Sequence, residues 1–145
     1  MKNKINNLLN SIGQRKILFI LGDHLKGKTF EVKKFLIDKH KECNYVDVGL
    51  YIQSKITEER LKIYEIYPKE FIEDAEEFFK ELVNEKYKNT NLMVFDHMEF
   101  LLSEGYNGWI KILDKKTIKD NIAIIIIPSE YRDRVPLNAY RYIEI

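Results

Sequence analysis

The chain has 145 residues, 45% of them hydrophobic, which is typical of one globular domain that folds without disulfides or a metal. Its 24 Lys and Arg balance 23 Asp and Glu, so the bulk charge gives no sign of nucleic-acid binding, and any contact with DNA is expected to be indirect. Cys43 is the single cysteine, which excludes a disulfide framework. No apolar run approaches the ~18 residues that span a bilayer, and the first residues lack a signal-peptide core, so we expect a cytoplasmic protein without a membrane partner.

Apolar spacing in the first part of the chain predicts a helix, a strand, a helix and a strand in turn. Residues 3–13 carry apolar side chains at helical spacing, and Gly13 ends this short helix. The apolar run over residues 16–21 predicts the first strand. Residues 29–41 are expected to form the next helix, and residues 44–48 the second strand.

A strongly amphipathic helix is expected in the middle of the chain. Residues 50–66 have an ambiguous pattern that predicts one or two short helices, and Pro68 fits the first turn of the helix after them. The apolar side chains of that helix recur at i, i+3/4 and i+7, so we expect them to pack on a sheet rather than to bind a ligand. This stripe consists of Phe71, Ile72, Ala75, Phe78, Phe79, Leu82 and Val83.

Three further strands are predicted in the second half. Residues 91–96 predict the third strand and residues 108–116 a helix. Residues 122–127 form a continuous apolar run, typical of a strand buried on both faces, which Pro128 ends. Residues 140–145 alternate aromatic and polar side chains and predict a last strand near an edge. Because strands alternate with helices, we expect an α/β fold with a parallel sheet covered by helices on both faces.

The most informative motif is the phosphate-loop pattern G-x-x-x-x-G-K-[ST] at residues 22–29, directly after the first predicted strand. Gly22 and Gly27 let the backbone curl so that its N–H groups point at phosphate oxygens. Lys28 is expected to reach the β- and γ-phosphates, and the Thr29 hydroxyl to ligate Mg²⁺. The expected nucleotide-binding residues of this segment are Gly22, Asp23, His24, Leu25, Lys26, Gly27, Lys28, Thr29 and Phe30.

The loop carries an unusual negative charge. Asp23 brings a carboxylate towards a polyphosphate, which is expected to weaken binding by ~1 kcal/mol. We therefore expect nucleotide binding to depend strongly on Mg²⁺ and on Lys28.

A second motif supplies a carboxylate for the metal. Residues 92–96 are four apolar residues that end in Asp96, which is the Walker B pattern. A buried parallel strand delivers such a side chain to its carboxyl end, where ligands bind in open α/β sheets. Asp96 is therefore expected to hold Mg²⁺ beside Thr29, the alternative being a helix N-cap.

The residue that orients the attacking water is left open by the sequence. Many ATPases place a glutamate directly after this aspartate, but His97 occupies that position here, and the nearest acid is Glu99. Glu99 is either the catalytic base or the cap of a short helix over the residues after it. His97 offers a hydrogen bond to water or phosphate.

Polar and basic residues follow the last buried strand. Ser129 comes directly after Pro128, where a hydroxyl is expected either to sense the γ-phosphate or to serve as a turn residue. Arg132, Arg134 and Arg141 lie downstream. Either one of them acts as an arginine finger in a neighbouring subunit, or all three make surface ion pairs of little energetic weight.

These motifs and their order resemble the BrxF-type small P-loop proteins of bacteriophage-exclusion (BREX) defence systems. The matching segments are residues 22–29, 45–50, 96–101 and 139–142. In that family the Walker B aspartate is also followed by a glutamate three positions on, as Asp96 and Glu99 are here. The family's loop has small residues where this chain has Asp23, His24 and Lys26. The resemblance implies a prokaryotic accessory ATPase that works beside larger defence components.

The sequence thus predicts a single P-loop NTPase domain over residues 1–145, which is AAA-like or RecA-like and has no lid domain. This domain is expected to bind ATP and Mg²⁺ and to hydrolyse ATP slowly. Full hydrolysis is expected to need a protein partner or self-assembly. ATP is favoured because no guanine-reading motif is evident. Lys28, Asp96 and Glu99 are the expected catalytic residues. One alternative is a small-molecule kinase, although the segment over residues 56–85 contains only Arg60 where kinases carry an arginine-rich lid. The other is a docking module controlled by nucleotide without hydrolysis.

Overall fold

The computed structural model describes residues 16–22, 34, 44–103, 105–118 and 120–144, and these residues form an alternation of strands and helices around one sheet. The strands are β1 (Ile17–Gly22), β2 (Tyr45–Asp47), β3 (Leu92–Asp96), β4 (Ile122–Pro128) and β5 (Arg141–Glu144). They pair in the order β2-β3-β4-β1-β5, and every pairing is parallel. The carboxyl ends of all five strands therefore lie at one edge of the sheet, called here the carboxyl edge.

The register of the strands fixes which residues meet at the carboxyl edge. Gly22 at the end of β1 is level with Pro128 at the end of β4. On the far side of β4, the last residues of β2 and β3, Asp47 and Asp96, stand opposite each other. The strand that carries Gly22 and the strand that carries Asp96 are both hydrogen-bonded to β4, which lies between them.

Four α-helices connect the strands within the described residues. They are α1 (Val48–Lys55), α2 (Glu58–Ile66), α3 (Pro68–Lys86) and α4 (Gly108–Lys116). Short 3₁₀ helices span Glu99–Leu101, Ser129–Arg134 and Leu137–Ala139. Helix α2 begins where the Thr57 hydroxyl accepts a hydrogen bond from the Arg60 amide at 3.2 Å, and α3 begins with Pro68, as predicted.

The sheet has a buried apolar layer on each face. On the first face, Phe19, Phe95 and Ile125 pack with buried residues of α1, α3 and α4. On the second face, Leu18 and Ile126 belong to a separate buried cluster formed by strand residues. The described helices thus supply buried side chains to the first face, while the predicted helices over residues 3–13 and 29–41 lie outside the described residues.

The predicted parallel α/β fold is confirmed. Helix α4 has its predicted bounds, and within the described residues β1, β3, β4 and β5 differ from their predicted ranges by at most one residue at each end. Of the α3 stripe, Ala75, Phe79, Leu82 and Val83 are buried in the core and Phe71 and Phe78 pack against it. The second strand is shorter than predicted, because the Asp47 carboxylate accepts a hydrogen bond from the Leu50 amide at 2.9 Å and caps α1 one residue before the predicted end of the strand.

Candidate functional site

The carboxyl edge collects several of the residues that the sequence singled out. Gly22 ends β1, Asp96 ends β3, and Ser129 directly follows β4, beside the strand end that carries Gly22. From Gly22 onward the expected nucleotide-binding segment starts at this edge, because the chain leaves β1 there. Asp23, His24, Leu25, Lys26, Gly27, Lys28, Thr29 and Phe30 lie outside the described residues.

Asp96 is buried, and its carboxylate is oriented by hydrogen bonds. Only 4% of the residue is exposed. The Tyr45 hydroxyl donates to Oδ2 at 2.5 Å, and the His97 amide donates to Oδ1 at 2.8 Å. A buried carboxylate with donors on both oxygens keeps one orientation, which is what a metal ligand requires.

Tyr45 remains a hydrogen-bond donor in this environment. Burial, followed by the hydrogen bond to Asp96 and the negative charge of that residue, raises the pKa of the Tyr45 phenol far above its ordinary value. The hydroxyl therefore keeps its proton at every pH at which the protein is expected to work.

His97 has a backbone conformation that is uncommon outside glycine. Its φ is +57°, in the left-handed region, although histidine visits this region more often than most residues. The His97 amide, at the start of this turn, donates a hydrogen bond to the Asp96 carboxylate. The imidazole Nε2 then lies 3.7 Å from Oδ2 of Asp47 and 3.7 Å from Oδ2 of Asp96, with 47% of the side chain exposed. The strained turn thus presents an accessible imidazole between two carboxylates.

Glu99 lies beside His97 rather than in a helix cap. It is the first residue of the 3₁₀ helix Glu99–Leu101, which has no side-chain cap at its start. Its Oε1 is 4.0 Å from Nδ1 of His97. Glu99 and His97 line a cavity of about 200 Å³ at the carboxyl edge. The full lining is Asp47, Gly49, Leu50, Gln53, His97, Glu99 and Phe100.

Two residues of this region were missed by the sequence reasoning, Tyr45 and Asp47. Both lie on β2, the neighbour of the strand that carries Asp96. Their i, i+2 spacing places them on the same face of the strand, and this is the signal that could have found them once β2 was known to pair with β3. Asp47 serves both as the N-cap of α1 and as a neighbour of His97.

The arginines after β4 make contacts within the chain. Arg132 forms an ion pair with Glu144 and lies over the Tyr142 ring, 5.6 Å from its centroid. Arg134 donates a hydrogen bond from Nη1 to the carbonyl oxygen of Leu102 at 3.1 Å. Arg141, the third arginine, is exposed on the last strand. The Ser129 side chain is exposed at the start of the 3₁₀ helix Ser129–Arg134.

The residues at the carboxyl edge fit a magnesium ion that is held mainly by phosphate and water. Within the described part of the chain, no group of three or more His, Cys, Asp or Glu side chains is arranged to hold a metal. Mg²⁺ in nucleotide sites needs only one or two protein carboxylates, because phosphate and water oxygens complete its shell. The buried, oriented carboxylate of Asp96 meets that requirement.

Among the described helices, none combines the length and apolar character needed to cross a bilayer. Comparison of the chain with models of known protein families and with curated proteins gives no match.

Proposed function

We propose that this domain binds ATP·Mg²⁺ at the carboxyl edge of its sheet and hydrolyses ATP slowly. The proposal rests above all on one relationship between the two motifs. Gly22, which opens the phosphate-loop pattern, and Asp96, which ends the Walker B pattern, terminate parallel strands at the same edge with β4 between them. The first residue of one motif and the last residue of the other thus lie at the edge where α/β sheets bind their ligands.

Each residue of the proposed site has a defined task. Backbone N–H groups of the segment that begins at Gly22 bind phosphate oxygens, and Lys28 pairs with the β- and γ-phosphates. Thr29 and Asp96 hold Mg²⁺, which when bound neutralises charge on the phosphate oxygens. Ser129 offers a hydroxyl to the γ-phosphate from the end of β4.

The attacking water is oriented by Glu99, with His97 as the competing group. Both side chains line the cavity beside Asp96, and neither is buried. A carboxylate that accepts a hydrogen bond from a water molecule raises the nucleophilicity of that water. Glu99 can therefore activate the attacking water.

A kinase function receives less support. Arg60 is the one arginine of the segment where a kinase lid is expected, and its guanidinium is held by Asp74 at 2.8 Å and by Glu70 at 3.1 Å. Arg60 therefore ties α2 to α3, and its guanidinium is engaged by two carboxylates. The resemblance to BREX proteins extends the proposal: the domain acts as an accessory ATPase in prokaryotic anti-phage defence, in the cytoplasm and beside a protein partner.

A thermal-shift panel of nucleotides with and without Mg²⁺ tests the binding proposal. A ligand at ~100 times its Kd stabilises a protein by about 2.7 kcal/mol, which raises the melting temperature by several degrees. We expect this shift with ATP·Mg²⁺ for the wild type and its loss for Lys28→Ala. Lys34→Ala, which alters an exposed lysine beyond the loop, is the matched control and should keep the shift.

Product analysis then separates the possible activities. Release of inorganic phosphate supports the ATPase, transfer of phosphate to a metabolite the kinase, and binding without turnover the docking module. If no nucleotide at millimolar concentration shifts the wild-type melting temperature, the binding proposal is wrong for this chain.

A further inference from the structure

The Tyr45 side chain reaches diagonally from β2 to Asp96, the proposed metal ligand on the neighbouring strand β3. In the parallel register, Tyr45 is level with Val94, whereas Asp96 lies two residues further along β3. Two residues of a strand span ~6.6 Å, and the tyrosine side chain is long enough to cover that offset. Its hydroxyl ends 2.5 Å from Oδ2 of Asp96. A shorter polar side chain at position 45 would not make this contact.

The contact completes the orientation of the carboxylate. The His97 amide holds Oδ1 of the carboxylate. The Tyr45 hydroxyl holds the other oxygen, so the plane of the carboxylate is defined from two directions. Metal ligands are commonly oriented in this way by groups that do not themselves touch the metal.

We propose that Tyr45 is a positioning residue, which holds the Asp96 carboxylate in the orientation that receives Mg²⁺ with the nucleotide. This inference rests on the proposed function. It assigns to the short edge strand β2 a role in metal binding, since β2 carries the Tyr45 hydroxyl to the end of its neighbour.

The fold also contains a tyrosine whose hydrogen bond is purely structural, and this residue provides a matched control. The Tyr87 hydroxyl donates at 2.7 Å to the carbonyl oxygen of Ile122, the first residue of β4. This bond therefore lies at the amino end of the sheet, opposite the carboxyl edge. Tyr45→Phe and Tyr87→Phe each remove one hydroxyl, but only the first removes a hydrogen bond to the Asp96 carboxylate.

The experiment measures the ATP-dependent thermal shift of the full chain as a function of Mg²⁺ concentration, together with the shift produced by ATP in EDTA. For Tyr45→Phe we expect the Mg²⁺ concentration at half-maximal shift to rise by about 10-fold or more, the loss typical of groups that orient a metal ligand. The shift with ATP in EDTA should stay as in the wild type, because the phosphate contacts are unchanged. Tyr87→Phe should leave the Mg²⁺ dependence unchanged even if it lowers the melting temperature.

The outcomes separate the two proposals. A wild type that binds ATP·Mg²⁺ with a Tyr45→Phe variant of the same Mg²⁺ dependence would overturn the role of Tyr45 and leave the proposed function intact. An equal change in Tyr87→Phe would also overturn it, since general destabilisation would then explain both. A wild type without any nucleotide shift overturns the proposed function, and the role of Tyr45 falls with it.

Discussion

Glu99 faces the imidazole of His97, with its Oε1 4.0 Å from Nδ1. The two side chains are separated by one residue, and the left-handed turn at His97 brings them to the same cavity. The carboxylate expected after a Walker B aspartate is thus displaced along the chain, and the position next to Asp96 is taken by an imidazole. Glu99 and His97 are therefore the two groups of this cavity that can reach an attacking water.

Glu99→Gln should keep ATP·Mg²⁺ binding and lower hydrolysis. The amide retains the size of the side chain but no longer accepts a proton from the attacking water, so we expect a loss of ~10²-fold or more in kcat. Phosphate release under saturating ATP measures the change, and the thermal shift verifies binding. Unchanged turnover would assign the water to His97 or to a partner residue, and His97→Gln would then be the variant that loses activity.

Asp96→Asn should weaken Mg²⁺-dependent binding while preserving the fold. The amide oxygen still accepts a hydrogen bond, but the charge that attracts Mg²⁺ is lost, so the ATP·Mg²⁺ shift should approach the one seen with ATP in EDTA. Asp96→Ala should in addition lower the melting temperature, because it leaves the donors of Tyr45 and His97 without this acceptor at a cost of about 1–3 kcal/mol. A full Mg²⁺ effect in Asp96→Asn would exclude Asp96 as a ligand.

The strands and helices could be predicted from the sequence because the patterns that indicate them are local. The continuous apolar run of β4, the i, i+3/4 stripe of α3 and the proline at its start depend only on neighbours within the same element. The end of β2 was misplaced because a competing local signal, the N-cap at Asp47, overrides the β propensity of Val48.

The contacts of Asp96 could not be predicted from the sequence because they depend on pairing between distant segments. Tyr45 and Asp96 are 51 residues apart, and their contact exists only because β2 and β3 are neighbours in a particular register. Likewise the position of Asp47 opposite Asp96 follows from strand order. The left-handed turn at His97 has no composition signal, since non-glycine residues adopt it only where the surrounding contacts require it.

Tyr87 should contribute to a loss of stability in alkaline solution. Burial raises the pKa of its phenol well above the ordinary value of ~10. The folded protein therefore keeps this proton at a pH where the unfolded chain releases it, so this contribution is full below pH ~10 and is lost as pH rises further. We expect the free energy of unfolding to fall less steeply above that pH in Tyr87→Phe than in the wild type.

At neutral pH the same variant should be less stable. It loses the hydrogen bond to the Ile122 carbonyl, at a cost of about 0.5–1.5 kcal/mol. Denaturant unfolding at pH 7 and in alkaline buffer measures both effects. A slope with pH identical to that of the wild type would contradict the assignment to Tyr87.

We expect the site to be completed by a second protein surface, and the arginines after β4 allow this to be tested. Basal turnover should lie below the ~10 s⁻¹ median of enzymes. It should rise with protein concentration or when a cognate partner is added. An arginine that a second subunit supplies in trans can raise the rate by up to ~10³–10⁵-fold. Arg134 holds the Leu102 carbonyl, so Arg134→Ala is expected to lower the melting temperature. All three arginines are exposed, so substitution has to identify the one that acts in trans.

For the responsible arginine, substitution by alanine should abolish the stimulation and spare nucleotide binding. Arg132 is ion-paired with Glu144, so Glu144→Gln is the control for the loss of that pair: it removes the pair but keeps the arginine. If Arg132 acts in trans, Arg132→Ala should lose the concentration dependence while Glu144→Gln retains it. Turnover that is independent of protein concentration at nanomolar levels, and unaffected by alanine at positions 132, 134 and 141, would show that one chain completes the site by itself.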